Sequence, residues 1–118
     1  DGFGDRPRFE CFLAEVENEI VGLAFFTERY STWVGDTLHL EDLIVTQKYR
    51  GQGIGLSLYK SFLNEAKNRG ANRVEWSVLD WNKSAIDFYK KSGAKIDSLN
   101  AWKIVRMDKE SINQFLNT

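Results

Sequence analysis

Three observations predict an α/β fold built on one mixed central sheet. Strand-like and helix-like stretches follow the order β-β-β-α-β-α-β. The first two strands, residues 9–16 and 20–29, flank Glu17-Asn18-Glu19, which is the pattern of an antiparallel hairpin. The third, Leu38 to Val45, leads through a glycine turn and a helix to the fourth, Arg73 to Leu79. A strand, a helix and a strand in that order form a right-handed parallel unit.

Length and composition bound the rest. A chain of 118 residues with 42% hydrophobic and 14% aromatic residues is one globular domain, residues 1–118. A net charge of −1 supplies no global basic footprint for nucleic acid. The single cysteine, Cys11, excludes an internal disulfide framework and fits a reducing, cytoplasmic setting. Its place in a strand-like run reads as buried packing. No apolar run reaches the roughly 18 residues of a membrane span, and no signal peptide is visible. The chain opens on Asp1 rather than Met, and Asp1 to Pro7 reads as linker, so the domain is read as N-terminally incomplete.

Each element has a local reason. Gly22 marks a bulge or a close approach within the second strand. Tyr30 to Asp36 reads as a loop rich in aromatic and turn residues. The helix from Leu56 to Arg69 places Leu58, Tyr59, Phe62, Leu63 and Ala66 on one side, and Lys60, Glu65 and Lys67 on the other. Gly70 suits its C-terminal stop. Asn82 is placed to cap a second helix, Lys83 to Ser92, which Gly93 ends. Lys95–Ser98 and Trp102–Met107 read as two closing strands or one interrupted strand pair, and Asp108–Phe115 as a terminal helix.

The chemistry concentrates at Arg50-Gly51-Gln52-Gly53-Ile54-Gly55, between the third strand and the first helix. A glycine turn opening a helix lets backbone N–H groups converge on an anion. The P-loop ending Gly-Lys-Ser/Thr is missing, and Gly51-x-Gly53-x-Gly55 has the wrong spacing for a Rossmann fingerprint. The arrangement Arg-x-x-Gly-x-Gly resembles the coenzyme A pyrophosphate loop of the GNAT superfamily of N-acetyltransferases. A second signature, Asn82-x-x-Ala85-x-x-Phe88-Tyr89-x-x-x-Gly93-Ala94, follows in the order that superfamily uses.

The resemblance extends to Thr32-Trp33, Leu40-Glu41-Asp42, Tyr49 to Gly55, Leu79-Asp80-Trp81-Asn82 and Phe88-Tyr89-Lys90. These are similar to the spermidine/spermine N-acetyltransferase family. Ser31-Thr32-Trp33 and Val78 to Asn82 are most similar to its thialysine branch. The similarity runs from about Phe9 to the end, without the N-terminal strand and helices of that family. It implies the GNAT fold, with a splayed parallel strand pair, acetyl-coenzyme A as cofactor, and a homodimer helped by the strand Trp102–Met107.

The resemblance also implies the cofactor contacts. Arg50, Gly51, Gln52, Gly53, Ile54, Gly55 and Leu56 would hold the pyrophosphate. Leu43, Ile44 and Val45 would pair with the pantetheine amides as a peptide pairs with a sheet edge. Asn82, with Lys83, Ser84 and Ala85 behind it, would meet the amide arm. Lys48, Lys90 and Lys91 could reach the 3′-phosphate or form a solvated face.

N-acetylation needs a neutral amine, a stabilised oxyanion and a proton for the departing thiolate. Tyr89 is the candidate proton donor, with Phe88 the better fit to a packing role. Glu41 is the candidate base and cation binder, because a carboxylate inside an apolar strand needs a partner; that partner is the acceptor amine or a nearby Lys or Arg. Strand alternation puts Glu41 on the face of His39 and Asp42 on the other unless a bulge intervenes. His39 could assist deprotonation or be structural. Trp33 could pack along the acceptor or anchor its loop. Three functions fit: transfer to a small amine (thialysine, a diamine or a polyamine), a coenzyme-binding but inactive module, or transfer to a peptide or protein lysine. Ser31 stands where the polyamine branch carries an acid, which favours thialysine or a short diamine.

Overall fold

The computed structural model describes residues 8–31, 35–79, 82–99 and 102–117. Its elements are β1 (Arg8–Val16), β2 (Glu19–Ser31), β3 (Gly35–Val45), a short 3-10 turn (Gln47–Tyr49), α1 (Ile54–Asn68), β4 (Arg73–Leu79), α2 (Lys83–Lys91), β5 (Lys95–Leu99), β6 (Trp102–Asp108) and α3 (Lys109–Leu116). The six strands form one sheet in the order β1-β2-β3-β4-β6-β5. The β3–β4 pair is parallel, and the other neighbours are antiparallel. The closing region is therefore a hairpin whose second strand inserts between β4 and β5. β2 runs to Ser31 and β3 begins at Gly35, so strand replaces both ends of the expected Tyr30–Asp36 loop.

One face of the sheet holds the core. Leu58, Tyr59, Phe62, Leu63 and Ala66 of α1 are all buried, against Ala24, Phe26, Leu38, Leu40, Val74, Trp76, Val105 and Met107. Helical spacing in the sequence thus reads directly as the packed face. Ile86 and Tyr89 of α2 and Ile112 of α3 join the same cluster. Arg69, just past α1, ties the helix to the hairpin. It donates to Glu10 at 2.6 Å and to Glu28 at 3.1 Å, as well as to Glu65 at 2.7 Å. These contacts raise its pKa, with the Glu10 hydrogen bond the largest cause.

The opposite face carries Phe9, Leu13 and Ile44, all about half exposed, and no described helix packs on it. Cys11 belongs to this face and is exposed, so it is not the buried packing residue its sequence context implied. No described helix is long and apolar enough to cross a membrane.

Gly22 serves both of its expected roles. The β1–β2 register shifts beside it, between the pairs Ala14–Gly22 and Glu15–Ile20. A Cβ there would stand 2.9 Å from Leu58 Cδ1 and 3.2 Å from Ile54 Cγ2. The first turn of α1 packs this closely because nothing projects from the strand. Gly22→Val is expected to destabilise the fold by about 1–3 kcal/mol, the usual cost of overpacking. A urea midpoint equal to that of the parent would show that α1 yields more easily than this contact implies.

Candidate active site

The site begins at a bulge. Phe25 pairs with Asp42 and Phe26 with Leu40, leaving Glu41 as the unmatched residue of β3. Cross-strand partners share a face. Asp42, opposite Phe25, therefore lies on the same face as His39, opposite Thr27, and not on the other face as simple alternation would put it. Glu41 and Asp42 are both exposed there. The same bulge stands where β3 leaves β4. Their parallel pairing covers Thr37–Arg73, Leu38–Val74 and His39–Glu75, and no further pair follows.

Beyond that point the strands diverge and a cleft opens with two lobes. The larger, about 620 Å³, is lined by Leu43, Ile44 and Val45 of β3, by Arg50, Gly51, Gly55 and Leu56 of the loop and first turn of α1, and by Asn82, Ser84, Ala85, Phe88 and Tyr89. The smaller, about 290 Å³, is lined by Leu40, Glu41, Asp42, Leu43, Trp76, Ser77, Val78, Asn82, Ala85 and Tyr89. Leu43, Asn82, Ala85 and Tyr89 belong to both walls. Of the residues expected at the cofactor, Gln52, Gly53, Ile54 and Lys83 are not in the larger wall. Gly53 instead caps α1 in the left-handed region at φ 82°, and Ile54 turns inward against the core. Phe88 and Trp76 are wall residues that sequence reasoning did not place. Trp33 lies outside the described residues, and Lys48, Lys90 and Lys91 are exposed and line neither lobe.

The loop is built to present donors. Gly51 and Gly53 have φ of 80° and 82°, which side-chain-bearing residues seldom adopt, and open space surrounds both. Arg50 folds back to donate from Nε to the Val45 carbonyl at 3.0 Å, closing the loop over the end of β3. The start of α1 has no side-chain cap and no acid in its first turn. Its N–H groups and positive dipole end therefore face the lobe unopposed. At α2, Asn82 Oδ1 accepts from the Ala85 N–H at 3.4 Å, which makes Asn82 the N-cap and still leaves its amide donors available.

Tyr89 is more deeply buried than Phe88, the reverse of the expected division of labour. Its ring meets Trp76 edge-on at 4.9 Å and Tyr59 at 5.7 Å. Burial raises its pKa, and the Trp76 indole N–H beside it pulls in the opposite direction. The two are close enough to interact but do not complete a hydrogen bond: Trp76 Nε1 is buried without a partner at bonding distance among the described residues. Tyr59 fixes this arrangement from below. Its hydroxyl sits 2.7 Å from Ser92 Oγ, and Ser92 donates at 2.7 Å to the Tyr89 carbonyl.

Glu41 is neither buried nor unpaired. Its Oε2 accepts from Thr27 Oγ1 at 2.8 Å and from Arg29 Nη2 at 3.3 Å. Of the two partners foreseen for it, the structure provides a nearby arginine. Thr27 and Arg29 were missed because the bulge that aligns them with Glu41 depends on β2–β3 pairing. His39 is half-buried, and its pKa is lowered by burial first and by Arg29 second, which keeps it neutral near pH 7.

This order of elements, the glycine loop and the splayed pair coincide with a match to the acetyltransferase (GNAT) family over residues 2–94. The chain belongs to the GNAT acetyltransferase family. It is 37% identical to the thialysine N-epsilon-acetyltransferase of Sus scrofa over 123 residues, covering 97% of this chain and 72% of that protein. It is 36% identical to the human spermidine/spermine N(1)-acetyltransferase-like protein 1 over 120 residues, 95% of this chain and 17% of that longer one. A GNAT acetyltransferase from Elizabethkingia anophelis with acetyl-coenzyme A bound superposes with a TM-score of 0.73 at 21% identity, over 85% of this chain and 76% of that one.

This GNAT chain is therefore an N-acetyltransferase with acetyl-coenzyme A as its donor. The uncapped, acid-free start of α1 and the open space at Gly51 and Gly53 fit a pyrophosphate, and the larger lobe leads from there to Tyr89.

Proposed function

We propose that this chain is an acetyltransferase domain that acetylates the terminal amine of a small molecule of the thialysine, diamine or polyamine class. The observation that carries the reading is Tyr89, which stands in the wall of both lobes, between the glycine loop and the acids Glu41 and Asp42. The cofactor brings an acetyl thioester, whose cleavage by an amine leaves a thiolate. Tyr89 gives that thiolate its proton. Glu41, through Oε1 or a water, accepts the proton of the incoming ammonium, and Asp42 adds a second negative charge for the cation. Neutral His39 behind them adds no positive charge of its own to repel the cation. Leu43, Ile44 and Val45 offer β3 backbone groups where β4 has departed, and Arg50 with Gly51 to Leu56 and Asn82 to Ala85 hold the rest of the donor. Trp33 is placed in the acceptor site on resemblance.

The kinship with thialysine and polyamine enzymes supports the small-amine class. A homodimer in the cytoplasm is part of the proposal on the resemblance of the sequence alone. Both edges of β6 are paired, so a second copy would meet its face or the β5 edge. The test is thiol release from acetyl-coenzyme A with thialysine, putrescine, spermidine and a lysine-containing peptide. Release with one of the small amines is the expected result. Release with the peptide alone, or tight donor binding with no release on any amine, would overturn the reading.

A further inference from the structure

We propose that Trp76 sets the length of the acyl group that the site transfers, holding the donor to acetyl by closing the apolar side of the smaller lobe. The inference rests on the transfer reading above, which puts the thioester beside Tyr89 where the two lobes meet. The smaller lobe passes between β3 and β4 and has two sides, because successive side chains of a strand point to opposite faces. Glu41, Asp42 and Ser77 are exposed and line the open side. Leu40, Trp76 and Val78 line the other and are 4%, 2% and 8% exposed. Trp76 pairs across the sheet with Val105, which is fully buried. A charged amine therefore has the open side, and the methyl of the acyl group is left with the buried one.

Trp76 is held in that wall from behind. Its ring meets Tyr89 at 4.9 Å, Tyr59 at 5.7 Å and Phe62 at 6.3 Å, with interplanar angles of 66°, 87° and 79°. The indole N–H completes no hydrogen bond there among the described residues, so what fixes the ring is its shape. An interior packed in this way yields little to an added methylene. A propionyl or butyryl chain must press into this wall or turn to the open side, where it would cover the acids Glu41 and Asp42 with alkyl. The chemistry itself is the same along the series. The amine, its first proton given to Glu41, forms the C–N bond, and the C–S bond breaks with its electron pair on sulfur. The thiolate takes the Tyr89 proton, and the proton shed by the new amide nitrogen restores Tyr89.

The experiment gives acetyl-, propionyl- and butyryl-coenzyme A to the parent chain, Trp76→Leu, Trp76→Phe and Val78→Ala, with a small amine saturating. The readout is kcat/KM by thiol release. The parent is expected to use propionyl about 10- to 200-fold less well than acetyl, the usual worth of one methylene in an apolar pocket, and butyryl less again. In Trp76→Leu the propionyl-to-acetyl ratio should rise by about tenfold or more, with smaller rises in Trp76→Phe and Val78→Ala. A change in Tyr89 or a general loosening of the fold acts on every donor alike and cancels in the ratio. Val78→Ala opens the same wall and decides the matter if Trp76→Leu does not fold. A parent that uses propionyl as well as acetyl, or ratios unchanged in the folded variants, would overturn the proposal. The Kd of each donor, measured by calorimetry with no amine present, reads the same wall without transfer. A preference for the acetyl donor that is lost in Trp76→Leu, with no thiol release on any amine, would refute the transfer reading while sustaining this one.

Discussion

Tyr89→Phe is expected to lower kcat by about 10²–10⁴-fold, the usual contribution of a positioned proton donor. The affinity for acetyl-coenzyme A should change little, because the ring keeps its contacts with Trp76 and Tyr59 and only the hydroxyl is lost. The pH dependence gives an independent check. Tyr89 must be protonated to act, and burial raises its pKa above the ordinary tyrosine value of about 10. Ionisation of Tyr89 should therefore not depress the rate until the pH exceeds about 10, and Tyr89→Phe should lack that alkaline fall. The raised pKa also has a cost, since a phenol gives its proton uphill to a thiolate whose conjugate acid sits near 8.5. The Trp76 N–H eases that step by favouring the phenolate. Trp76→Phe should then move the alkaline limb to higher pH, which the tyrosinate absorbance can follow. A kcat within threefold of the parent in Tyr89→Phe would place the proton donor elsewhere.

Tyr59→Ala is expected to be the most destabilising single change, by about 3–5 kcal/mol, in line with other large-to-alanine substitutions in cores. Tyr59 is fully buried at the meeting point of three helices and two strands. Its ring contacts Trp76, Phe88, Tyr89 and Phe115 at 5.1 to 5.7 Å. Its hydroxyl reaches Met107 Sδ at 3.2 Å as well as Ser92. Removing it should lower Tm by about 10–25 °C and loosen Tyr89 through the Ser92 link, so activity should fall before global unfolding. Tyr59→Phe should cost about 1–2 kcal/mol, because Ser92 keeps its bond to the Tyr89 carbonyl. Differential scanning calorimetry separates these outcomes, and a Tm drop below 5 °C for Tyr59→Ala would contradict the packing account. Burial also raises the pKa of Tyr59. With folded values above those of the unfolded chain, Tyr59 and Tyr89 add stability that is complete below about pH 10. It is lost as the pH rises through their folded values.

Much of the fold was legible because its signals are local. The five buried residues of α1 follow from helical spacing, and Asn82 as a cap follows from its position before an apolar-periodic run. The glycine loop was legible because its backbone conformation demands glycine, as the φ values of Gly51 and Gly53 bear out. The closing hairpin was less so. Two short strands near the C-terminus carry no mark of which will lie beside β4, and β6 takes that place with seven register pairs. Cys11 was misread because its burial depends on what covers the face, which strand alternation does not reveal.

The sequence by itself determined that a glycine turn joins a strand to a helix, that α2 starts at Asn82 and brings Tyr89 two turns later, and that the acids Glu41-Asp42 interrupt the third strand. These depend on residue type and near-neighbour spacing. Only the tertiary structure decided how the acids are placed. The β2–β3 register makes Glu41 the extra residue, turns Asp42 to its side, brings Thr27 and Arg29 to its carboxylate, and coincides with the end of β3–β4 pairing. A bulge is a property of two strands together. Its position is set by how the core side chains Phe26 and Leu40 pack on α1, across a sequence separation that no local pattern spans.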